Sequence, residues 1–483
     1  MRLDKIRLQN FRCFQSLEMT FHSNVTVIVA ENGQGKTTIL DAIRIGLWPF
    51  LNGFDLASSG VNDASNSIAI DDVRAFKLEN MSMARGLPVE VELTGNWQGG
   101  DNETPWLRFR DSEKPRSKTK DNAQVRLMQE WATKIQNEIR NPDASAVSLP
   151  MLGYYGTGRL WNEKKLTAKK AAKKDTSDTR DFYIRTFAYR DCMDPASSYK
   201  HFKDWFMWAS TSWMEYLFKN KDEHGIAAIP TYLTDPVRAV TLAIDDVLKE
   251  PTGWHGLEYS YQDEKSLVLR HAEYGTLKVE QLSDGIRNML AMVGDIAYRC
   301  AKLNPHFGIE AARRTKGVVL IDEVDMHLHP RWQQLVLGQL IKAFPNIQFI
   351  VTTHSPQVLT TVDNTCIRIL RQRDEGGVQT MEVITPSLQT KGVASADVLA
   401  KIMLIDPVPN VPEAQALSRY RQLIETDQLT DNQEAHQLRD RLLAHFGQSH
   451  PVMQECERLI RLQAIKKRLP PAPQPEKGRA ADA

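Results

Sequence analysis

A glycine-rich segment combines a lysine with two hydroxyl side chains, a combination suited to binding phosphate. Residues 33–38 read G-Q-G-K-T-T, between a short apolar run and a stretch with helical spacing over residues 38–47. Glycines let backbone N–H groups turn inward around phosphate oxygens, and a helix N-terminus favours negative charge. We expect Lys36 to contact the β- and γ-phosphates of a nucleotide and Thr37 to ligate Mg²⁺. The usual pattern has glycine where this chain has Ala30, which is tolerable if the backbone keeps a negative φ there.

Two further apolar runs end in polar residues that could complete the chemistry. Residues 318–321 lead into Asp322 and Glu323, and residues 349–351 lead through two threonines to His354. Both runs suit central strands of a parallel sheet. The aspartate favours control of Mg²⁺, the glutamate can orient or deprotonate an attacking water, and the histidine can hydrogen-bond a γ-phosphate. Taken singly, the acidic pair also fits a strand leaving the core, and the histidine also fits a structural role.

A serine and a glycine at the start of another predicted helix form the last part of this set. Residues 282–285 read L-S-D-G, and Ser283 is well placed to cap the helix that begins near it. Alone, this segment predicts no more than a capped helix. Its position between the phosphate loop and the acidic pair favours a functional interpretation.

The order of these segments resembles that of ABC-type ATPases, in which a phosphate loop, a signature, an acidic motif and a switch histidine follow one another. The F-R-C-F segment at residues 11–14 is similar to the opening of RecF- and SMC-like ATPases. Residues 280–288, 322–330 and 353–357 resemble the OLD-like ATPases of bacterial defence islands. The compact length and the helical C-terminal region look most like the PtuA family of Septu anti-phage systems and some retrons. In the two ATPase lobes the resemblance rests on motifs, and in the middle and C-terminal parts of the chain it rests only on the arrangement of the predicted elements.

The resemblance implies ATP and Mg²⁺ as cofactors and assigns a role to each motif residue. The expected ATP-binding residues are Arg12, Asn32, Gly33, Gly35, Lys36, Thr37, Thr38, Ser283, Gly285 and Asp325. Of these, Ser283 and Gly285 would contact the γ-phosphate held by a facing subunit, and Asp325 would link the two sites. The expected catalytic residues are Glu323 and His354, and the expected metal contacts are Thr37 and Asp322.

The glutamine-bearing loop that completes Mg²⁺ coordination in this family has no clear counterpart. Residues 154–159, Y-Y-G-T-G-R, occupy its expected region and contain no glutamine. We interpret this segment as packing against the catalytic lobe and leave its role open.

Composition predicts a cytoplasmic globular protein. A formal net charge of +1 over 483 residues gives no global attraction to DNA or to anionic membranes. The five cysteines are scattered and form no C-x-x-C pair, which argues against a disulfide framework or a zinc site. We find no signal-peptide region and no apolar run long enough to span a bilayer, so no membrane partner is expected. The lysines between residues 164 and 174 either track a nucleic-acid backbone or, more commonly, form a solvated face.

The sequence predicts an α/β fold, with an ABC-type P-loop ATPase head built on a mixed sheet and helices. Residues 76–145 are predicted as short strands between polar turns, and helices are predicted at 199–218 and 235–248. The predicted boundaries are 1–160 for the ATPase N-lobe with the phosphate loop, 161–265 for a mainly helical insertion, 266–405 for the ATPase C-lobe, 406–470 for a helical oligomerisation or partner-docking region, and 471–483 for a disordered tail.

The leading hypothesis is an ATPase that hydrolyses ATP at head-to-tail dimer interfaces and gates a separate nuclease in anti-phage defence. The resemblance implies a homodimer or higher homo-oligomer, an HNH-type nuclease similar to PtuB, and, in a retron, a reverse transcriptase and an RNA–DNA hybrid. The sequence contains neither a TOPRIM-type acidic cluster nor an H-N-H pattern, so we predict that the chain is not itself a nuclease. The alternative is a RecF-like repair ATPase that binds DNA directly. A transport ATPase is disfavoured by the large insertion, and the lack of sustained heptads argues against long coiled-coil arms.

Overall fold

A computed structural model gives the structure of most of the chain. The described residues are 1–57, 66–78, 81–98, 103–114, 117–141, 146–159, 183–195, 199–222, 225–226, 230–263, 265–375, 378–429 and 432–468. The predictions made for the lysine run at 164–174 and for the tail at 471–483 lie outside these residues. The chain divides into two compact units, one spanning Met1–Met403 and the other beginning at Leu404.

Strands and helices alternate through most of the larger unit. The strands are β1 (Arg2–Phe11), β2 (Phe14–Thr20), β3 (Val25–Val29), β4 (Ala75–Lys77), β5 (Met83–Arg85), β6 (Val89–Asn96), β7 (Thr104–Arg110), β8 (Lys120–Asp121), β9 (Met151–Tyr155), β10 (Lys221–Asp222), β11 (Gly225–Ile226), β12 (His255–Ser260), β13 (Ser266–His271), β14 (Gly275–Lys278), β15 (Gly317–Ile321), β16 (Ile347–Thr353), β17 (Ile367–Glu375) and β18 (Val378–Ile384). The helices are α1 (Lys36–Leu51), α2 (Ala123–Arg140), α3 (Lys200–Lys219), α4 (Thr231–Thr252), α5 (Asp284–Leu303), α6 (Ala311–Arg314), α7 (Pro330–Gln333), α8 (Val336–Ala343), α9 (Pro356–Leu359), α10 (Ser395–Lys401), α11 (Pro412–Glu425), α12 (Gln433–Phe446) and α13 (Pro451–Arg468).

A six-stranded sheet with the order β18-β17-β3-β16-β15-β9 forms the core of the larger unit. Neighbouring strands are parallel except β17 and β18, which form an antiparallel hairpin at one edge. β3, β9, β15 and β16 are buried at every position, as expected for parallel strands covered on both faces. Their carboxyl ends therefore meet at one edge, where Val29 pairs with Thr353 and Val351 pairs with Ile321. The predicted α/β class with a mixed sheet is confirmed.

An antiparallel sheet, β2-β1-β6-β7-β8, anchors helix α1. Pro49 lies inside α1 and has no N–H to offer the carbonyl of Ile45. Arg108 on β7 supplies a donor instead, with its Nη1 2.7 Å from that carbonyl oxygen. Trp106, two residues earlier, donates from Nε1 to the carbonyl of Gly46 at 2.9 Å. These side-chain bonds hold in place the helix that begins at the end of the phosphate loop.

Helix α2 corrects the prediction for residues 76–145. Strand β6 lies within the region predicted to contain short strands, but residues 123–140 form a helix rather than strands and turns. Asn122 caps this helix by accepting a 3.1 Å bond from the N–H of Val125. Buried side chains recur at helical spacing along one face, at Val125, Met128, Ala132 and Ile135. The prediction was wrong because the polar face of an amphipathic helix was taken for turns.

Helix α5 crosses the larger unit and is tied to the end of β9. Its Asp295 and Arg299 are both buried and form an ion pair, with Arg299 Nε 2.7 Å from Asp295 Oδ2. The hydroxyl of Tyr155, the last residue of β9, donates to the same oxygen at 2.8 Å. Burial raises the pKa of Tyr155 well above its ordinary value, so the phenol keeps its proton and its bond. Helices α3, α4 and α5 confirm the predictions for 199–218, 235–248 and the region of Ser283.

The smaller unit is a helical one with its own hydrophobic core. Helices α11, α12 and α13 surround a cluster of buried side chains formed by Ala416, Tyr420, Ile424, Leu442, Met453 and Cys456. Arg419 on α11 makes two bonds to the carboxylate of Glu434 on α12, at 2.8 and 2.9 Å. Across all described residues, none of the helices combines the length and the apolar character needed to cross a membrane.

Candidate nucleotide site

The loop between β3 and α1 has the conformation that its glycines make possible. Gly33 and Gly35 have φ values of +82° and +93°, in the left-handed region that other residues rarely adopt. A side chain at Gly35 would also meet the Phe14 ring at 2.5 Å and the Cys13 sulfur at 2.7 Å. Open space surrounds the corresponding position at Gly33. Ala30 does not have a positive φ, which confirms that alanine is tolerated there.

Lys36 begins α1 and folds back across the loop. Its Nζ donates to the carbonyls of Ala30 at 2.9 Å and of Glu31 at 3.0 Å, and the residue is 8% exposed. Burial lowers the pKa of Lys36, and the nearby carboxylates, Asp322 first among them, act in the opposite direction. The predicted phosphate contact is therefore a buried ammonium held at the centre of the loop.

Thr37 and Asp322 meet at the carboxyl edge of the central sheet. The Thr37 hydroxyl donates to Oδ2 of Asp322 at 2.8 Å, and the Thr352 hydroxyl donates to Oδ1 at 2.6 Å. Asp322 is 3% exposed, so both carboxylate oxygens are fixed by these bonds. A hydroxyl and a carboxylate are the oxygen donors that Mg²⁺ prefers beside nucleotide phosphates. The two predicted metal contacts lie together, and their donor atoms fit the ion.

Glu323, the predicted catalytic glutamate, has an unusual backbone conformation. Its φ is +49°, although it carries a side chain. Its N–H donates to Thr352 Oγ1 at 2.8 Å, and its carbonyl accepts a 2.6 Å bond from Nη2 of Arg159. The residue is partly exposed, while the aspartate before it is buried.

Asp325 is connected to the segment of His354 through Thr353, the residue that precedes the histidine. Thr353 donates from its hydroxyl to Oδ1 of Asp325 at 2.5 Å and accepts a 3.0 Å bond from the N–H of Ser355. His354 lies between these two residues of the chain and is partly exposed. A hydrogen bond therefore ties Asp325, the predicted linking residue, to the backbone segment that carries His354, the predicted switch histidine.

Arg12 lies beside α1 and is engaged by two carboxylates. Its Nη1 donates to Asp41 Oδ2 at 2.6 Å, and its Nε donates to Asp72 Oδ1 at 2.8 Å. Asp41 is on α1, five residues after the lysine of the loop. The expected nucleotide contact of Arg12 stays a prediction, while its role in fixing α1 is visible.

The signature residues lie at the start of α5. Ser283 occupies the predicted N-cap position, but its side chain makes no capping hydrogen bond and is exposed. Gly285 is buried, and a Cβ there would lie 2.6 Å from the carbonyl oxygen of His327. The signature turn therefore packs tightly on the loop that follows Asp325.

Two residues to which the sequence analysis gave no specific role complete the site. Thr352 bonds both acidic residues, and Arg159 is buried behind them, with Nη1 donating to the carbonyls of Asp322 and of Gly156. The interpretation of 154–159 as a segment packed against the catalytic lobe is confirmed. Strand β9, from which this segment emerges, pairs with β15, so the segment lies next to the acidic motif.

The parallel sheet, the phosphate loop at the start of α1 and the acidic strand end beside it define the head of an ABC-type P-loop ATPase. The chain is an ATP hydrolase of this class. Residues 5–204 match the family described as "AAA domain", and residues 190–360 match "AAA domain, putative AbiEii toxin, Type IV TA system".

Relatives of this chain include two retron proteins named as probable ATPases and a Septu protein, as the sequence motifs indicated. The chain is 26% identical over 465 residues to the retron Vc95 probable ATPase of Vibrio cholerae serotype O1 biovar El Tor, covering 88% of this chain and 84% of that protein. It is 26% identical to the retron Ec83 probable ATPase of Escherichia coli, covering 95% and 86% of the two chains. Over a segment of 98 residues it is 40% identical to Septu protein PtuA of Bacillus mycoides, covering 20% and 13%.

Proposed function

We propose that two copies of this chain bind ATP head to tail between them, and that ATP binding and hydrolysis gate a separate nuclease in anti-phage defence. The observation that carries the composite site is that both of its halves are open. Asn32, Gly33 and Thr37 are exposed on the phosphate loop. Ser283 is exposed on the signature turn, with its hydroxyl unused by the helix. A second copy can therefore approach the nucleotide without first breaking a capping bond.

Within each site, the side chains of one copy divide the chemical work. Lys36 and the N–H groups of the loop hold the phosphates, and Thr37 with Asp322 would hold Mg²⁺, which neutralises phosphate charge. Glu323 takes a proton from the attacking water, and His354 donates a hydrogen bond to the γ-phosphate. These assignments agree with the hydrogen bonds that bring the phosphate loop, the acidic motif and the switch segment together at one edge of the sheet.

The facing copy contributes its signature turn. Ser283 and Gly285 contact the γ-phosphate from the opposite side. Gly285 packs on the His327 carbonyl, and Asp325, two residues earlier, accepts a bond from Thr353, so the loop after Asp325 connects the signature turn to the segment that leads to the switch histidine. A symmetric dimer contains two such sites, and this connection couples closure of one site to closure of the other.

The proposed partners follow from the relatives. Two proteins that are similar over most of this chain carry retron names, and PtuA carries a Septu name. We therefore propose an HNH-type nuclease similar to PtuB as the effector, with a reverse transcriptase and an RNA–DNA hybrid where the system is a retron.

The experiment that tests this function is affinity purification of Glu323→Gln from its native operon, followed by mass spectrometry and nucleic-acid extraction. This variant should bind ATP, hydrolyse it slowly and keep the assembly together. Co-purification of a nuclease supports the proposal, and attached RNA–DNA adds a retron. Recovery of DNA without a protein partner contradicts it and favours a RecF-like repair ATPase. Lys36→Ala is the matched control, because it should lose ATP and, in the intact operon, phage protection.

A further inference from the structure

The guanidinium of Arg159 lies buried directly behind the acidic motif. The residue is 4% exposed and follows β9, on the segment that stands where a glutamine-bearing loop was expected. Its donors point at backbone carbonyls. Nη1 donates to the carbonyl oxygens of Gly156 at 3.0 Å and of Asp322, and Nη2 donates to that of Glu323 at 2.6 Å.

This arrangement suits arginine and not lysine. A guanidinium is planar and permanently charged, and its rigid fork presents several N–H groups at once, so it can bond two successive carbonyls. A buried charge is costly unless it is fully hydrogen-bonded. Burial lowers the pKa of Arg159, while the carboxylates of Asp322, Glu323 and Asp325 act in the opposite direction. The carboxylates of the motif whose backbone it holds therefore offset part of the cost of burying the cation.

The peptide that Arg159 holds is a strained one. Glu323 has φ +49°, a conformation that a residue with a Cβ adopts only where its surroundings impose it. The N–H of Glu323 donates to Thr352 Oγ1, and its carbonyl accepts bonds from Nη2 of Arg159 and from the N–H of Met326 at 3.0 Å. These bonds hold both the N–H and the carbonyl of Glu323 in place. Loss of the Arg159 bond leaves the Met326 N–H as the remaining described donor to this carbonyl, and we expect the backbone then to relax toward an ordinary conformation and to redirect the side chain.

We infer that Arg159 is a positioning residue for ATP hydrolysis, acting through the backbone of Asp322 and Glu323. It imposes the conformation from which the Glu323 side chain reaches the attacking water. It leaves ATP binding to the phosphate loop, because its described hydrogen bonds are with the acidic motif and with its own segment. This inference rests on the proposed role of Glu323 as the base.

The first test is Arg159→Lys, compared with Arg185→Lys. Arg185 is the matched control, because it also donates to backbone carbonyls, those of Val147 and Leu303, in a part of the unit away from the acidic motif. Arg159→Lys should lower kcat at least about 10-fold, since a misplacement near 1 Å can cost more, and should leave the Kd for ATP within about 3-fold. Arg185→Lys should leave kcat per folded molecule unchanged. A parallel loss of ATP affinity and kcat in Arg159→Lys would overturn the inference.

The second test is a double-mutant cycle with Glu323→Gln, measured by single-turnover hydrolysis of radiolabelled ATP. If Arg159 acts through Glu323, adding Arg159→Lys to Glu323→Gln should change the residual rate by less than about 2-fold. Additive losses would show that Arg159 acts by another route. If Glu323→Gln itself turns over normally, the proposed base is wrong, which is a different result from a failed cycle. Arg159→Gln, which can still donate to one carbonyl, replaces the lysine variant in both tests if that variant does not fold.

Discussion

The hydroxyl of Thr37 donates a 2.8 Å hydrogen bond to Oδ2 of Asp322, a residue 285 positions further along the chain. Thr37 is in the first turn of α1, and Asp322 follows β15, two strands away from the β3 strand that leads into the phosphate loop. The bond shows that the loop and the acidic motif already lie at the distance at which both can ligate one ion. The sheet positions the two groups, because the strands that lead to them are parallel and end at the same edge, with Val29 opposite Thr353 and Ile321 opposite Val351.

Replacing Thr37 tests whether its hydroxyl serves the metal. Thr37→Ala should weaken Mg²⁺-dependent ATP binding about 10-fold, the effect expected from one lost bond to a charged centre. Thr37→Ser keeps the hydroxyl and should stay close to the wild-type value. Titration of ATP at several Mg²⁺ concentrations measures both variants. Equal affinities for the alanine and serine variants would exclude Thr37 as a ligand.

The buried ion pair of α5 gives a prediction about stability. Arg299→Met alone leaves Asp295 buried with only the Tyr155 hydroxyl as its partner among the bonds described, and should lower the free energy of unfolding by about 3–5 kcal/mol. Replacing both charged residues together, as Asp295→Leu with Arg299→Met, should cost clearly less than the sum of the single changes. Urea unfolding of the three variants measures these differences. Strict additivity would show that the two charges do not stabilise each other.

Lys302, near the end of α5, gives a prediction about pH. Burial lowers its pKa from 10.5 to about 8. Between these two values the unfolded chain binds this proton more strongly than the folded chain does. The contribution of Lys302 to the free energy of unfolding therefore rises with pH from about 8, and below about 8 this gain is absent. Lys302→Met should therefore raise the melting temperature at pH 7 and flatten its rise between pH 8 and 10. Lys342→Met, at an exposed position of α8, should change neither quantity. An unchanged pH profile in Lys302→Met would count against the shifted pKa.

The phosphate loop and the strands around it could be predicted because their requirements are local. The loop needs its glycines, Lys36 and Thr37 in immediate succession, and the buried strands are short apolar runs beside it. Helix α2 could also have been predicted, since Asn122 and the helical spacing of Val125 and Met128 are visible in the sequence.

The part played by Arg159 could not be predicted from the sequence. Its partners are carbonyl groups of residues up to 164 positions away, and every residue has a carbonyl, so no residue type marks them. The strain at Glu323 is equally invisible, because glutamate is not a residue whose presence suggests a positive φ. The fold therefore adds the parts of the site that work through the backbone.

The proposed composite dimer leads to a prediction that tests both halves of the site together. In a head-to-tail dimer, each nucleotide lies between the phosphate loop of one copy and the signature of the other. Lys36→Ala damages the first half and Ser283→Arg blocks the second. Ser283 is exposed and makes no capping bond, so the arginine variant should fold normally, as its melting temperature will show.

Each of these two variants should be inactive by itself, and mixing them in equal amounts should restore ATP hydrolysis. A mixed dimer contains one site that has both lesions and one site that has neither. The restored rate should be about a quarter of the wild-type rate, because half of the dimers are mixed and one of their two sites is intact. Mixing Lys36→Ala with the double variant Lys36→Ala/Ser283→Arg is the control, and it should restore nothing. If the two single variants also restore nothing when mixed, while sedimentation shows that they form mixed dimers, the sites are not shared between copies.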